Sequence, residues 1–125
     1  MRLLLDTHVL LWWLAGDATL SPEAKQTIAS RENIVFVSSA SAWEIAIKKA
    51  LGKLKAPDDL EEAMNLNQFE MLPITIKHAL GISHLPLHHQ DPFDRLLISQ
   101  IKLEALTLVT RDEQLSKYNI PIINA

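Results

Sequence analysis

No cysteine occurs in the 125 residues, so neither a disulfide framework nor a thiolate metal site is possible. That absence fits a reducing compartment, and the cytoplasm is the expected location. Long apolar runs are missing too. The N-terminal stretch MRLLLDTHVLLWWLAGDA opens like a secretion signal, but Asp6 and His8 interrupt it and leave only Val9–Ala15 unbroken. This is the bottom of the roughly 7–15 residues of a signal's apolar region, and nothing approaches the ~20 residues of a membrane span. The segment is expected to be part of a mature, soluble domain. A basic excess is also lacking. The formal charge is −3, which argues against a module that grips nucleic acid by bulk electrostatics. It leaves room for a local patch in IKKALGKLK, where Lys48, Lys49, Lys53 and Lys55 fall within eight positions, although a solvated helix face explains them equally. There is no internal repeat, low-complexity tract or linker. With 48% hydrophobic residues, the chain is expected to form one domain, residues 1–125, with a substantial core.

What is present is an alternation. The apolar run Arg2–Leu5 precedes THVLLWWLAG, which reads as a helix closed by Gly16. In SPEAKQTIASRE, Ser21 is placed as an N-cap, Pro22 at the first helical position and Glu23 in the first turn, a well-formed helix start. NIVFVSS is β-branched, aromatic and apolar from Ile34 to Val37, as expected of a strand covered on both faces. Ser38, Ser39 and Ser41 are each possible caps for the helix AWEIAIKKALGKL, and Asp58 for the helix DDLEEAMNLN. FEMLPI, LTLVT and IPIIN read as further strands, TIKHALGI, Pro92–Glu104 and RDEQLSKY as helices. This order predicts an α/β fold with a mostly parallel sheet between helical layers.

Open sheets of this kind bind ligands beyond the carboxyl ends of their strands, where strand order reverses. After the first strand come Asp6, Thr7 and His8; after the second, a serine-rich turn and then Glu44; after the fourth, Thr110, Arg111 and Asp112. HHQDPFDRLLISQIKLE adds Asp91 and Asp94. Four chain segments thus deliver carboxylates to one sheet edge, where they would repel and raise one another's pKa values. A hard divalent ion removes the conflict, and all-oxygen ligation selects Mg²⁺ or Mn²⁺ over zinc.

Several of these acids also have a structural explanation. Asp91 is a natural N-cap ahead of Pro92, and Asp94 is at the third helical position, from which an acid can reach back to the cap. By helical spacing, however, Asp94 shares a face with Leu97, Ile98 and Ile101, and an unpaired carboxylate on a buried stripe is costly. Glu44 can pair with Lys48 at i+4, yet shares a face with Ile47 and Leu51. Thr110 or Asp112 can cap the EQLSKY helix. His88 and His89 in a loop, with His78 and His84 before them, show no HExxH-type spacing and read as surface or capping residues rather than a zinc site. Trp12 and Trp13 read as helix packing.

LLLDTHVLLWWL, SSASAWEIAIK, DPFDRLLISQ and LTLVTRDEQLSKY, in that order across nearly the whole chain, resemble the PIN domain of VapC-type toxins. The resemblance implies a three-layer α/β/α sandwich around a five-stranded sheet. It also implies endoribonuclease activity dependent on one or two Mg²⁺ or Mn²⁺ ions held by Asp6, Glu44, Asp94 and Asp112. It favours Asp94 over Asp91, because the family's acid directly precedes the RLLI run, and it makes Thr7 and Thr110 supporting residues. It further implies a homodimer that is inhibited by a VapB-type antitoxin and meets DNA only through it. Lys48, Arg95 and Arg111 are candidate RNA contacts. A non-catalytic PIN-like metal or RNA-binding module is the alternative. A receiver-like signalling domain would need an Asp after the third strand and a late Lys, where this chain has LPITIK and no Lys beside the last strand.

Overall fold

The computed structural model describes all 125 residues. Its layering follows from side-chain alternation along short strands. In β1 (Arg2–Leu5), Leu3 and Leu5 enter one apolar cluster while Leu4 enters another on the opposite face. In β2 (Ile34–Ser38), Val35 and Val37 go with the first cluster and Phe36 packs against the second. In β4 (Thr107–Thr110), Val109 and Leu108 divide the same way. With β3 (Glu70–Leu72) and β5 (Ile122–Asn124) at the edges, the order is β3-β2-β1-β4-β5 and every neighbouring pair is parallel. The sheet is therefore parallel throughout.

Both faces must be covered, and the helices do this. Helices α1 (Thr7–Leu14), α2 (Pro22–Ala29) and α4 (Leu60–Leu66) supply Val9, Leu10, Ala24, Ile28 and Met64 to the first cluster. The second is dominated by α6 (Pro92–Glu104) through Leu96, Leu97, Ile98 and Ile101, with Leu115 and Tyr118 from the 3-10 helix Glu113–Tyr118. Helix α3 (Ser39–Ala50) contributes to both, with Ile45 on one side and Ala40 on the other. Helix α5 (Ile76–Gly81) and the 3-10 turn Ile82–His84 lead toward the loop before α6. Each fully buried Leu or Ile contributes roughly 1.5–3 kcal/mol relative to exposure, so the sheet position of the site is strongly determined.

Local signals placed most helix starts correctly. Ser21 accepts from the Ala24 N–H at 3.0 Å, and Ser38 is the serine that caps α3. Gly16 follows α1 at φ +67°, where a Cβ would be strained. The cap of α4 is Asp59 rather than Asp58, its Oδ1 accepting from the Glu62 N–H at 3.0 Å, while the exposed Asp58 carboxylate lies 3.2 Å from the Lys49 ammonium. RDEQLSKY forms a 3-10 helix, and Ile34 is 46% exposed, so β2 is uncovered at its first residue. No helix is long and apolar enough to cross a membrane. Receiver-like sheets run 2-1-3-4-5, so the strand order seen here rules that alternative out.

Candidate active site

The winding reverses at β1, which has β2 and β3 to one side and β4 and β5 to the other. Asp6 lies at the carboxyl end of β1, only 8% exposed, and caps α1 by accepting the His8 N–H at 3.2 Å. Thr110 ends the adjacent β4. Its hydroxyl donates to Asp6 Oδ2 at 2.6 Å and accepts from the Asp112 N–H at 3.0 Å. Asp112 in turn accepts from the Gln114 N–H at 2.9 Å, so it caps the 3-10 helix while facing the cleft. One threonine thus fixes two carboxylates. Thr110→Val removes the hydroxyl at nearly constant volume and leaves the Asp112 N–H and the buried Asp6 short of a partner. The expected loss is about 2 kcal/mol, seen as a lower urea midpoint with unchanged slope.

Glu44, 4% exposed, projects from α3 and forms an ion pair with Lys48 one turn on. Thr7 is turned away from the cleft. Its hydroxyl donates to Ser41 Oγ at 2.9 Å, tying α1 to α3 behind Asp6 and Glu44. Asp91 caps α6, with Oδ1 accepting from the N–H groups of Phe93 at 2.8 Å and Asp94 at 3.2 Å. Asp94 does not turn back on the cap as its position allowed; its Oδ2 meets His89 Nε2 at 2.8 Å. The result is a cleft of about 280 Å³ lined by Asp6, Glu44, Asp91, Asp94 and Asp112, with Lys48, His89 and Arg111 among them and His8 and Trp12 at its side.

Burial and the neighbouring acids shift the protonation of the cleft carboxyls in the same direction. Burial, above all, raises the Asp6 carboxyl, opposed by its hydrogen bonds and reinforced by the Glu44 charge. Asp94 is pushed up to about 7, first by burial and then by the charge of Asp6, with the His89 contact acting against both. Lys48 is raised, chiefly by its bond to Glu44. A cation in the cleft would relieve these costs. The residues present fit one. His89, Asp94 and Asp112 bring one ligand atom each within 4.8 Å of one another, and Asp6 and Glu44 line the same cavity without joining that tight group. Carboxylate oxygens are the donors preferred by Mg²⁺ and Mn²⁺.

Two groups assigned from the sequence have other positions. Arg95 does not face the cleft. Its guanidinium donates to the carbonyls of Pro86, His89, Ile82 and Leu85 and to the Tyr118 hydroxyl, at 3.0–3.5 Å, which commits both of its terminal nitrogens to the fold. Among the four lysines of the α3 region only Lys48 lines the cleft, while Lys49 is held by Pro57 and Asp58. Arg111 does reach the rim, stacked 4.0 Å over the Trp12 ring and bonded to Thr19 and Ala125. Trp12 is therefore a cleft wall as well as packing. His89 is a site residue that the sequence reading left on the surface, and His78 is 2% exposed, bonded to Thr75 and Glu104. The one signal for His89 was its place five residues before Asp94.

The PIN domain family model matches residues 3–121. The chain belongs to the PIN-domain family. No curated protein sequence matches it. Solved structures share the fold of this PIN domain at low identity. VapBC2 from Rickettsia felis bound to a DNA fragment from its promoter superposes with a TM-score of 0.73 at 17% identity, covering 99% of this chain and 98% of that one. DNA-bound VapBC from Salmonella typhimurium gives 0.66 at 16% identity, with 99% and 98% covered. A toxin–antitoxin complex from Klebsiella pneumoniae gives 0.65 at 20% identity, with 96% and 94% covered.

Proposed function

We propose that this PIN domain is a Mg²⁺- or Mn²⁺-dependent endoribonuclease acting in the cytoplasm as the toxin of a type II toxin–antitoxin pair. The observation that carries the reading is the meeting of Asp6, Glu44, Asp94 and Asp112, from four chain segments, in one cleft at the β1/β4 switch point. Asp94 and Asp112 would hold the ion closely, with Asp6 and Glu44 completing the acidic wall. When bound, one or two such ions supply Lewis acidity for hydrolysis of a phosphodiester by water. Thr110 fixes the Asp6 carboxylate and Asp91 fixes the start of α6, so the acids need little reorganisation. Lys48 and Arg111 present cations at the cleft for the RNA backbone. Water as nucleophile leaves 5′-phosphate and 3′-hydroxyl ends, and the RNA 2′-hydroxyl takes no chemical part.

The toxin reading is supported by the VapBC and toxin–antitoxin complexes among the fold neighbours. It carries with it a VapB-type antitoxin, a homodimeric state and contact with DNA only through that antitoxin. Incubation of a structured RNA pool with Mg²⁺ or Mn²⁺, against EDTA, tests the chemistry: cutting that leaves 5′-phosphates is the expected result. Metal binding with no cutting of any RNA would instead identify a non-catalytic binding module. Lys48→Ala is expected to weaken RNA binding at low salt and to reduce the slope of log K against log salt by about 0.7, the share of one phosphate contact on a single strand. An unchanged slope would remove Lys48 from the interface.

A further inference from the structure

We propose that His89 is a direct nitrogen ligand of the site's cation, so that this PIN domain takes a first-row transition ion of the Mn²⁺ class in preference to Mg²⁺. The inference rests on the metal-site reading above and adds to it a donor that the acidic set lacks. Its ground is the convergence of His89, Asp94 and Asp112, whose ligand atoms all lie within 4.8 Å of one another. Two donors at about 2.1 Å in neighbouring positions of an octahedron lie about 3 Å apart. The 2.8 Å separation of His89 Nε2 from Asp94 Oδ2 matches that spacing. A hydrogen bond alone accounts for this one contact; the Asp112 carboxylate, from a different chain segment, adds a third donor within 4.8 Å of both.

The imidazole is held there from behind. The His89 carbonyl accepts from Arg95 Nη1 at 3.3 Å and from the Tyr118 hydroxyl at 3.4 Å, which anchors the residue's backbone while its ring faces the cleft. Imidazole favours transition ions, whereas Mg²⁺ is served by oxygen donors and retains water. One nitrogen among carboxylates therefore shifts the choice of ion without abolishing Mg²⁺ binding.

The test is Mn²⁺ binding to the full chain, followed by electron paramagnetic resonance. The free-ion signal gives the affinity, competition with Mg²⁺ gives the preference, and ¹⁴N modulation of the bound ion reports a directly bound imidazole. The expected result is ¹⁴N modulation in the parent that is lost in His89→Gln, with a fall in Mn²⁺ affinity of roughly tenfold or more and a smaller change for Mg²⁺. His89→Asp, which restores an oxygen donor, should recover Mg²⁺ affinity but not the nitrogen signal, and circular dichroism checks that both variants fold. Mn²⁺ bound in an Asp94-dependent way without ¹⁴N modulation would overturn this inference and leave the metal reading standing. Modulation that survives His89→Gln would assign the nitrogen to another group in the cleft and also overturn it. No Mn²⁺ or Mg²⁺ binding at millimolar concentration would overturn both.

Discussion

Asp94→Asn is expected to lower RNA cleavage by roughly a thousandfold and, in EDTA at pH 8, to make the protein more stable than the parent. The two effects have one origin. In the folded chain the Asp94 carboxyl is pushed from an ordinary 3.8 to about 7, mainly by burial and then by the Asp6 charge. The folded state therefore holds this proton more tightly than the unfolded state, and the stability so gained is full below pH 4 and is lost as pH rises to about 7. The loss is on the order of 2–4 kcal/mol for a side chain that is 18% exposed. Asparagine has the same shape and no charge, so the variant's melting temperature should vary less between pH 5 and pH 8 than that of the parent. Saturating Mn²⁺ should restore the parent's stability at pH 8, by about 2.7 kcal/mol at a hundred times the dissociation constant, and should do little for the variant. Equal pH profiles for the two proteins would show that the Asp94 carboxyl is not raised by its surroundings in the folded chain.

The same conflict between charge and burial is what made these acids conspicuous in the sequence. A carboxylate on the stripe of Leu97, Ile98 and Ile101 breaks the helix pattern, and all three of those residues are buried. Breaks in a consistent local pattern mark functional positions. Asp6 stood out in the same way at the end of an apolar strand, and the alternation of strands and helices carried the layer architecture. Local chemistry also identified Asp91 as the cap that starts α6, the helix whose first turn carries Asp94 into the cleft.

What escaped the sequence depends on contacts between distant segments. His89 lies in a loop with no periodicity, and only the approach of Asp112 after β4 turns its contact with Asp94 into a three-donor group. Asp58 and Asp59 are equivalent as caps until the start of α4 at Leu60 is known. Charge alone made Arg95 an RNA contact, because nothing local reveals that the turn at Ile82 and the loop from Leu85 to His89 direct their carbonyls at it. Lys53 and Lys55 likewise belonged to the basic cluster by sequence but not to the cleft.

Arg95 also carries the second large effect. Four carbonyls and a phenol share its guanidinium, and they come from the 3-10 turn, from the loop before α6 and from the far end of the fold at Tyr118. Such a fork is planar and multidentate, and hydrogen bonds to a charged donor are each worth about 1.5–3 kcal/mol, less where solvent competes. Arg95→Ala should therefore cost about 3 kcal/mol and increase amide exchange in residues 82–90 before the sheet is affected. Lysine offers a point charge that cannot span five acceptors, so Arg95→Lys should recover only a minor part. Cleavage should fall by roughly ten- to a hundredfold in both variants, since the loop that positions His89 beside Asp94 loses its anchor while every acid stays in place. A salt-dependence slope for RNA binding equal to that of the parent, together with faster exchange in the loop, would place Arg95 in the scaffold. A reduced slope with an undisturbed loop would return it to the RNA interface.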